Sequence, residues 1–431
     1  MPALISQHHA EGKQEQIGAM ADIYGYALLT IVALGDNADA GLEGVTAVRK
    51  HCQPSVSVGD QKLVWGMPVL EQCLRSSIWS TRAWTYQEAL LSSRCLIITK
   101  YQFFFVCGLG TICEAFPDLG CIQVRSACSW SENILNPSML LPSKARDGDA
   151  LIRFKQHLDE YRQRKLGYES DTLNAFRGIL AKSEVRSYWG VPLFKKVPSG
   201  PLDKRRKLPA SGAEDRSIPP DLGLIYGLLW EIYETELPSR PRRPGFPSWT
   251  WASTAHQDIR FFRRRWVGAD DLPLVHAQIR LASEHTHAVQ NFNDVATLSA
   301  NSIITEHGQC LLLTSFVASC MLKLDDDLGA NQVQCWVNAP FLHSNRSDLG
   351  RLDPEGYEEL RTNHGAFGDG GSGKCECEAI MMFRHAQDIG WMLIIRKSDV
   401  YVRLGIMHCL KWHPKETWAP TPLEQTTIKL H

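Results

Sequence analysis

The chain has 431 residues, and its 46 Lys and Arg nearly balance its 47 Asp and Glu, leaving a formal net charge of -1. This balance excludes bulk electrostatic attraction to nucleic acid, so we predict no nucleic-acid partner. Hydrophobic residues make up 44% of the chain and charged residues 22%, proportions that are typical of a globular protein with a sizeable core.

The cysteines and the apolar segments indicate the compartment. There are 13 Cys, an odd number scattered along the chain, and many lie in apolar contexts. We expect them to be reduced core residues, which is typical of a cytoplasmic protein. The first residues contain no apolar stretch long enough for a signal peptide. The longest apolar-leaning segment, 310–322, is shorter than the roughly 20 residues of a membrane span, so we predict a cytoplasmic protein without a membrane partner.

Helical and strand patterns alternate in the first quarter of the chain. In chain order they predict a helix over 13–28, a strand over 28–34, a loop over 35–62, helices over 67–77 and 79–91, and a hairpin of strands 95–99 and 102–107. A helix that leads directly into a fully apolar strand favours an α/β layer with a parallel sheet.

The rest of the chain changes character twice. The sequence predicts helical structure over 150–183, a linker rich in Pro, Lys, Arg, Ser and Gly over 196–220, a helix over 222–234, and short strands over 296–304, 310–316, 334–337, 379–383, 391–396 and 401–406. We therefore predict an α/β part over 1–115, a helical connector with a flexible linker over 116–220, and a β-rich region over 221–431. The predicted class is α/β at the N-terminus and α+β for the whole chain.

Two blocks of sequence carry a family resemblance. The first runs from Gln16 to Ala27 as QIGAMADIYGYA, and the second runs from Trp79 to Glu88 as WSTRAWTYQE. Both resemble the fungal heterokaryon-incompatibility (HET) domain, which carries a block of the form Trp-x-x-Arg-x-Trp-Thr-x-Gln-Glu. Residues 243–252, RPGFPSWTWA, resemble the region that follows the domain. The family-motif residues are Asp22, Tyr24, Trp79, Arg82, Trp84, Gln87 and Glu88.

One part of the family pattern is missing. Family members carry an upstream block in which a strand ends in Trp-Ile-Asp, followed by a Cys and an Ile-Asn-Gln segment. No Trp, Cys or Asp precedes Asp22 in this chain. We therefore interpret 1–115 as a partial HET domain, truncated at its N-terminus, and expect its sheet to expose an edge and an apolar face.

The resemblance implies a role in fungal nonself recognition, with the HET domain as an effector of programmed cell death. In the first interpretation the domain is an interaction module, whose apolar and Trp-rich faces assemble with protein partners without a cofactor. An inactive truncated fragment is a further alternative.

An enzymatic interpretation stays open beside these two. HET domains have a distant, three-layer likeness to Toll/interleukin-receptor (TIR) domains, and some TIR domains cleave NAD with a catalytic Glu. The resemblance then makes Glu88 the catalytic residue and NAD the nucleotide bound, with the carboxylate stabilising an oxocarbenium-like cation or orienting water.

The motif residues also have a purely structural interpretation. In it, the Trp side chains of the helix predicted over 79–91 anchor that helix to the sheet, while Arg82, Gln87 and Glu88 make buried polar contacts. Arg82 then needs an acidic partner, because a buried charge is costly without one. Asp22 is expected to be a surface charge of its helix, and Tyr24 a core aromatic residue.

Overall fold

The computed structural model describes the chain in a series of ranges. These are residues 15–37, 39, 41–46, 48–51, 53–108, 110–115, 147–195, 218–232, 241–261, 274–275, 278–282, 289–294, 310–324, 332–337, 348–363, 374–385, 388–397, 399–409 and 424–431. The predicted strand over 296–304 and residues 196–217 of the predicted linker lie outside the described residues.

The described residues divide into two compact units. The first contains the described residues up to Ala115 together with 152–184, and the second contains 147–151 together with the described residues from Val185 to His431. Helices of the predicted connector thus cluster with the N-terminal part. The predicted domain boundaries at 115 and 220 stay predictions, because compactness alone does not show which segments fold independently.

The first unit follows the predicted order of elements with two additions. Its elements are α1 (Met20–Tyr26, after helical residues 15–18), β1 (Thr30–Ala33), β2 (Ser55–Val58), β3 (Gln61–Val64), α2 (Leu70–Arg75), α3 (Ala83–Leu91), β4 (Arg94–Ile98), β5 (Phe103–Cys107), β6 (Gly110–Cys113), α4 (Asp147–Arg162) and α5 (Asn174–Lys182). One addition is β6. The other is the hairpin of β2 and β3, which begins inside the segment predicted as a loop and ends two residues beyond it. Its strands are only four residues each, too short for a strong periodic signal.

A four-stranded sheet organises this unit, in the order β1-β4-β5-β6. β1 and β4 are parallel, with Ile31 opposite Leu96, whereas β4, β5 and β6 are antiparallel neighbours. The predicted parallel sheet is therefore confirmed only for its first pair of strands. The short connection from β4 to β5 imposes the antiparallel hairpin, since parallel neighbours need a long crossover.

One face of the sheet packs under helices α2 and α3. Its buried cluster consists of Val32, Cys73, Leu74, Ala89, Cys95, Ile97, Phe104 and Val106. Val32 lies on β1 and Ala89 on α3, so the helix with the Trp-rich block packs over the first strand. Alternation of side chains along each strand places these strand residues on one side of the sheet.

The opposite face of the sheet is apolar and partly open. Ile31, Leu96, Phe105 and Ile112 are paired in a row across the four strands, and Phe103 lies on the same side. Ile31 is 47% exposed and Phe103 is 40% exposed, while the other three are half-buried. We call these five residues the open sheet face. Sheets made mainly of antiparallel strands can leave one face open to solvent, and here the open face is apolar.

The second unit is built mainly from strands. Its elements are β7 (Ser187–Tyr188), β8 (Val191–Pro192), α6 (Pro220–Gly227), β9 (Glu231–Ile232), β10 (Ile259–Arg260), β11 (Leu274–Val275), β12 (Gln278–Ala282), β13 (Val289–Asn291), β14 (Cys310–Ser315), β15 (Val317–Leu324), β16 (Gln332–Val337), β17 (Asp348–Leu352), α7 (Pro354–Asn363), β18 (Lys374–His385), β19 (Asp388–Lys397), β20 (Val400–Cys409) and β21 (Thr426–Leu430). The predicted β-rich C-terminal region is confirmed.

Six of these strands close into an antiparallel barrel. They pair in the order β18-β15-β16-β17-β20-β19, and β19 pairs back with β18. The sheet continues beyond the barrel, because β18 also pairs with β11 and β20 also pairs with β21, which leads through β14 and β12 to β13. The barrel cluster contains Ala318, Cys320, Leu322, Val333, Cys335, Val337, Leu352, Leu360, Cys375, Cys377, Ala379, Met381, Trp391, Leu393, Leu404 and Met407.

A buried ion pair joins the barrel to the chain segments that contain Trp230 and Arg242. Arg403 is 0% exposed and Asp353 is 1% exposed, and the Arg403 Nε donates to Asp353 Oδ2 at 2.9 Å. Arg242 donates to the same oxygen at 3.3 Å. The Arg403 guanidinium also lies 3.7 Å from the centre of the Trp230 ring and donates to the carbonyl of Leu228. We call Asp353, Arg403 and Arg242 the Asp353 clamp.

Candidate functional site

The Trp-rich block spans two helical segments rather than one helix. Trp79–Thr81 form a 3-10 turn, and α3 begins only at Ala83, because Arg82 is extended with φ -85° and ψ 136°. The Thr85 hydroxyl lies 2.6 Å from the Trp79 carbonyl and 2.8 Å from the Arg82 carbonyl. The single helix predicted over 79–91 is therefore wrong at Arg82, where these side-chain bonds to the backbone favour a break.

Gln87 fastens α5 to α3. It is 0% exposed, its Oε1 accepts from the Gly178 backbone N–H at 3.0 Å, and its Nε2 donates to the Asn174 carbonyl at 3.4 Å. A Cβ at position 178 would lie 2.8 Å from Gln87 Oε1 and 2.6 Å from Leu91 Cδ1. Only glycine permits this close approach, so Gln87 and Gly178 form one structural joint.

The two Trp side chains of the block contact different neighbours. The Trp84 indole N–H donates to Asp171 Oδ2 at 3.3 Å. Trp79 packs against the cluster on the helix-covered face of the sheet. Both are half-buried, so each combines apolar packing with a solvent-facing edge.

The two motif residues of α1 have different environments. Asp22 pairs with Lys182 at 3.0 Å, with the two side chains 61% and 42% exposed, and such a surface pair contributes little stability. Tyr24 is half-buried, and its hydroxyl lies close enough to the Glu88 carboxyl for each group to affect the pKa of the other. Tyr24, not Asp22, therefore reaches the Trp-rich block.

Glu88 lies in a small electrostatic cluster with Tyr24 and Arg82. Burial raises the pKa of the Glu88 carboxyl, and the Arg82 charge and the Tyr24 hydrogen bond oppose that rise without cancelling it. Burial and then the Glu88 charge raise the pKa of Tyr24 well above its usual value. We call Tyr24, Arg82 and Glu88 the Glu88 cluster.

The family comparison covers all of these residues. The model of the heterokaryon incompatibility protein (HET) matches residues 4–88, a span that includes every motif residue named above and ends at Glu88. The chain carries a HET region. Such a region implies a role in heterokaryon incompatibility in general. No curated protein and no solved structure matches the chain, so the likeness to TIR domains stays a prediction.

The described residues contain neither a membrane-spanning helix nor a metal-binding cluster, and their described cysteine side chains are free. None of their helices combines the length and the apolar composition that a membrane crossing requires. No group of three or more of their His, Cys, Asp or Glu residues could hold a metal ion. The nine cysteines whose side chains are described form no disulfide.

A buried hydrogen-bonded pair that the sequence motifs do not reveal links the HET region to α4. Tyr86 is 0% exposed and His157 is 4% exposed, and the Tyr86 hydroxyl and His157 Nδ1 share a hydrogen bond of 2.9 Å. Tyr86 occupies a variable position of the family block, so no motif marks it. The apolar spacing of Phe154, Leu158 and Tyr161 along α4 could have placed His157 beside the core.

His157 makes a pH-dependent contribution to stability. Burial, followed by the Arg153 charge, lowers its pKa from 6.5 to about 4. The unfolded chain therefore binds this proton more readily than the folded chain. The contribution is constant above pH 6.5, falls as the pH drops towards about 4, and changes by about 3 kcal/mol in total.

The His157→Asn variant retains a hydrogen-bonding group for Tyr86. We expect it to lose the pH-dependent contribution that His157 makes to stability. Its free energy of unfolding should fall less steeply than that of the wild type between pH 6.5 and about 4. Urea denaturation at a series of pH values measures both slopes. Identical slopes in the two proteins would contradict the burial of a neutral His157.

Proposed function

We propose that the protein is an effector of fungal nonself recognition whose HET region assembles with a protein partner, and that this assembly triggers cell death. The observation that carries the proposal is the open sheet face. An apolar row that crosses every strand of a sheet, with Ile31 nearly half exposed, is a surface that a partner can cover. The absence of disulfides among the described cysteines supports a cytoplasmic site of action.

The geometry of the open sheet face favours an amphipathic helix of the partner. Four strands spaced about 4.8 Å apart give a face about 14 Å wide, and a helix with its side chains is about 10 Å across. One apolar stripe of such a helix would cover the row from Ile31 to Ile112. Such a helix would remove the apolar side chains of this face from water.

The Glu88 cluster is better explained as a local support than as a catalytic centre. The Tyr24 hydroxyl and the Arg82 charge both oppose the rise in pKa that burial causes at Glu88, so they offset part of the cost of burying its charge. These partners give the carboxylate a structural role without a substrate. NAD cleavage through Glu88 is therefore the less favoured function, because no contact around Glu88 requires a nucleotide.

Expression of the full chain in a fungal host tests the proposal. We expect the wild type to kill the host and the Ile31→Lys variant to lose most of this toxicity, because a charge on the open sheet face blocks apolar docking. The matched control is Val48→Lys, at a residue that is 90% exposed and lies outside that face. It should kill like the wild type at equal protein abundance.

The Glu88→Gln variant separates the two functions in the same assay. If the protein acts by assembly, the variant should remain toxic. The glutamine amide has the shape of the carboxylate and can still hydrogen-bond. Loss of toxicity in Glu88→Gln together with full toxicity in Ile31→Lys would overturn the proposal and favour catalysis. A wild type that does not kill would overturn the cell-death function itself.

A further inference from the structure

Four cysteines of the barrel cluster lie on three adjacent strands. Cys320 is on β15, Cys335 is on β16, and Cys375 and Cys377 are on β18. These strands are neighbours in the order β18-β15-β16. Because side chains alternate along a strand, Cys375 and Cys377 share one face of β18. We call these four residues the thiol cluster.

The strand register selects one pair of these thiols. Cys320 lies directly opposite Cys377 in the antiparallel pair of β15 and β18. Residues in such opposite positions have Cα atoms about 4.5–5.5 Å apart, which lies within the span of roughly 4.4–6.8 Å that a disulfide bridges. Both side chains lie on the same face of the sheet. A disulfide can therefore join Cys320 and Cys377 while the two strands keep their register.

The other two members of the thiol cluster are offset from this pair. Cys335 and Cys375 both lie opposite Leu322, two residues along β15 from Cys320. Diagonal neighbours of this kind are about 7–8 Å apart, which is too far for an unstrained disulfide. Cys335 also lies against β17, since a Cβ at Gly350 would lie 2.5 Å from its Sγ. Cys335 and Cys375 are therefore poor disulfide partners for Cys320.

Cys320 is the nucleophilic member of the selected pair. Its neighbours, first the Cys335 thiol and then the Cys377 thiol, lower the pKa of the Cys320 thiol. The Cys320 group and then burial raise the pKa of the Cys377 thiol. The thiolate is the form of cysteine that attacks an oxidant. Cys320 is therefore the thiol that reacts first, and Cys377 is the thiol that closes the bond.

We propose that hydrogen peroxide oxidises the thiol cluster to a disulfide between Cys320 and Cys377, which locks β15 to β18 in the barrel. The Cys320 sulfur attacks a peroxide oxygen and the O–O bond breaks, which gives a sulfenic acid and one water. The Cys377 sulfur then attacks the Cys320 sulfur, the S–O bond breaks, and the departing hydroxide takes the Cys377 proton as a second water. Peroxide gains the two electrons that the thiols lose. This reaction does not depend on the open sheet face.

Burial restricts which reagents reach the thiol cluster. Cys320 is 2% exposed and Cys377 is 7% exposed. Brief local opening of the barrel admits a small neutral molecule such as hydrogen peroxide more readily than a bulky one. A bulky maleimide should therefore label the cluster only after unfolding. The site is selective for a small oxidant.

Mass spectrometry of the full chain after treatment with hydrogen peroxide tests the proposal. The reduced protein is oxidised while folded, its remaining thiols are alkylated in denaturant, and it is digested without reduction. We expect a cross-linked peptide pair that contains Cys320 and Cys377. Cys310, which is 1% exposed but lies opposite Ala282, should be recovered as an alkylated thiol.

Two matched serine variants identify the partner of Cys320. Cys377→Ser should lose the cross-linked peptides and retain a sulfenic acid at Cys320 that dimedone labels. Cys375→Ser, two residues away on the same face of β18, should give the wild-type yield. The proposal is overturned by a folded wild type that forms no cross-link at any peroxide dose, by a cross-link mainly to Cys335, or by equal yields from the two variants.

The disulfide should also stabilise the barrel. A cross-link between distant positions restricts the unfolded chain, so the oxidised wild type should unfold at a higher urea concentration than the reduced protein. A reducing agent should reverse this shift. Peroxide should leave the urea midpoint of Cys377→Ser unchanged. An unchanged midpoint in the cross-linked wild type would overturn the locking of β15 to β18.

Discussion

Replacing Asp353 with alanine is expected to lower the free energy of unfolding of the second unit by about 3–5 kcal/mol. Asp353 is 1% exposed, and its carboxylate accepts from both Arg403 and Arg242. Removing it leaves Arg403 buried without its counter-charge, and burial already lowers the pKa of that guanidinium. An uncompensated buried charge is the main cause of the expected loss.

Urea denaturation followed by tryptophan fluorescence measures this effect, because Trp230, Trp249 and Trp251 are fully buried in the same unit. The matched control is Asp258→Ala, which removes a carboxylate paired with Arg260 at 3.0 Å, with both side chains about one-third exposed. That change should cost about 1 kcal/mol or less. Equal losses in the two variants would contradict the Asp353 clamp.

The second large effect is expected at Gln87. Gln87→Ala should lower the free energy of unfolding of the first unit by about 2–4 kcal/mol, because it removes two hydrogen bonds and leaves a cavity. The Gly178 N–H, which donates to Gln87 Oε1 at 3.0 Å, would then lose that acceptor. Thermal denaturation and hydrogen exchange at the Gly178 amide measure the loss.

The control for Gln87 is another glutamine of the same unit. Gln72 is exposed and its Oε1 accepts from the Val69 backbone N–H at 3.2 Å, so Gln72→Ala should cost about 1 kcal/mol. Unchanged protection of the Gly178 amide in Gln87→Ala would contradict the joint between α3 and α5.

Much of the first unit could be predicted from local sequence. The apolar run at 28–34 is long enough to indicate β1, and the Trp-rich block predicts a helix that packs against it. The break at Arg82 could not be predicted, since it depends on the Thr85 hydroxyl contacting two carbonyls. Gln87 stood in a recognisable motif, but its partners on α5 lie about 90 residues away and leave no local signal.

The second unit was predictable only in its strand content. Alternating apolar residues indicate strands, but closure of the barrel depends on β19 pairing with both β18 and β20, which periodicity does not encode. Asp353 and Arg403 lie 50 positions apart, and charged residues are usually assigned to the surface. The hairpin of β2 and β3 was missed for the opposite reason. Its apolar side chains are exposed, whereas apolar residues are usually assigned to the core.

Photo-cross-linking in a fungal host tests the proposed assembly most directly. A photoreactive amino acid replaces Ile31 on the open sheet face or, as the control, Tyr168, which is 74% exposed and lies outside it. Assembly predicts a covalent adduct with a protein from position 31 and none from position 168, in cells that are dying. Cell death without any adduct from position 31 would contradict it.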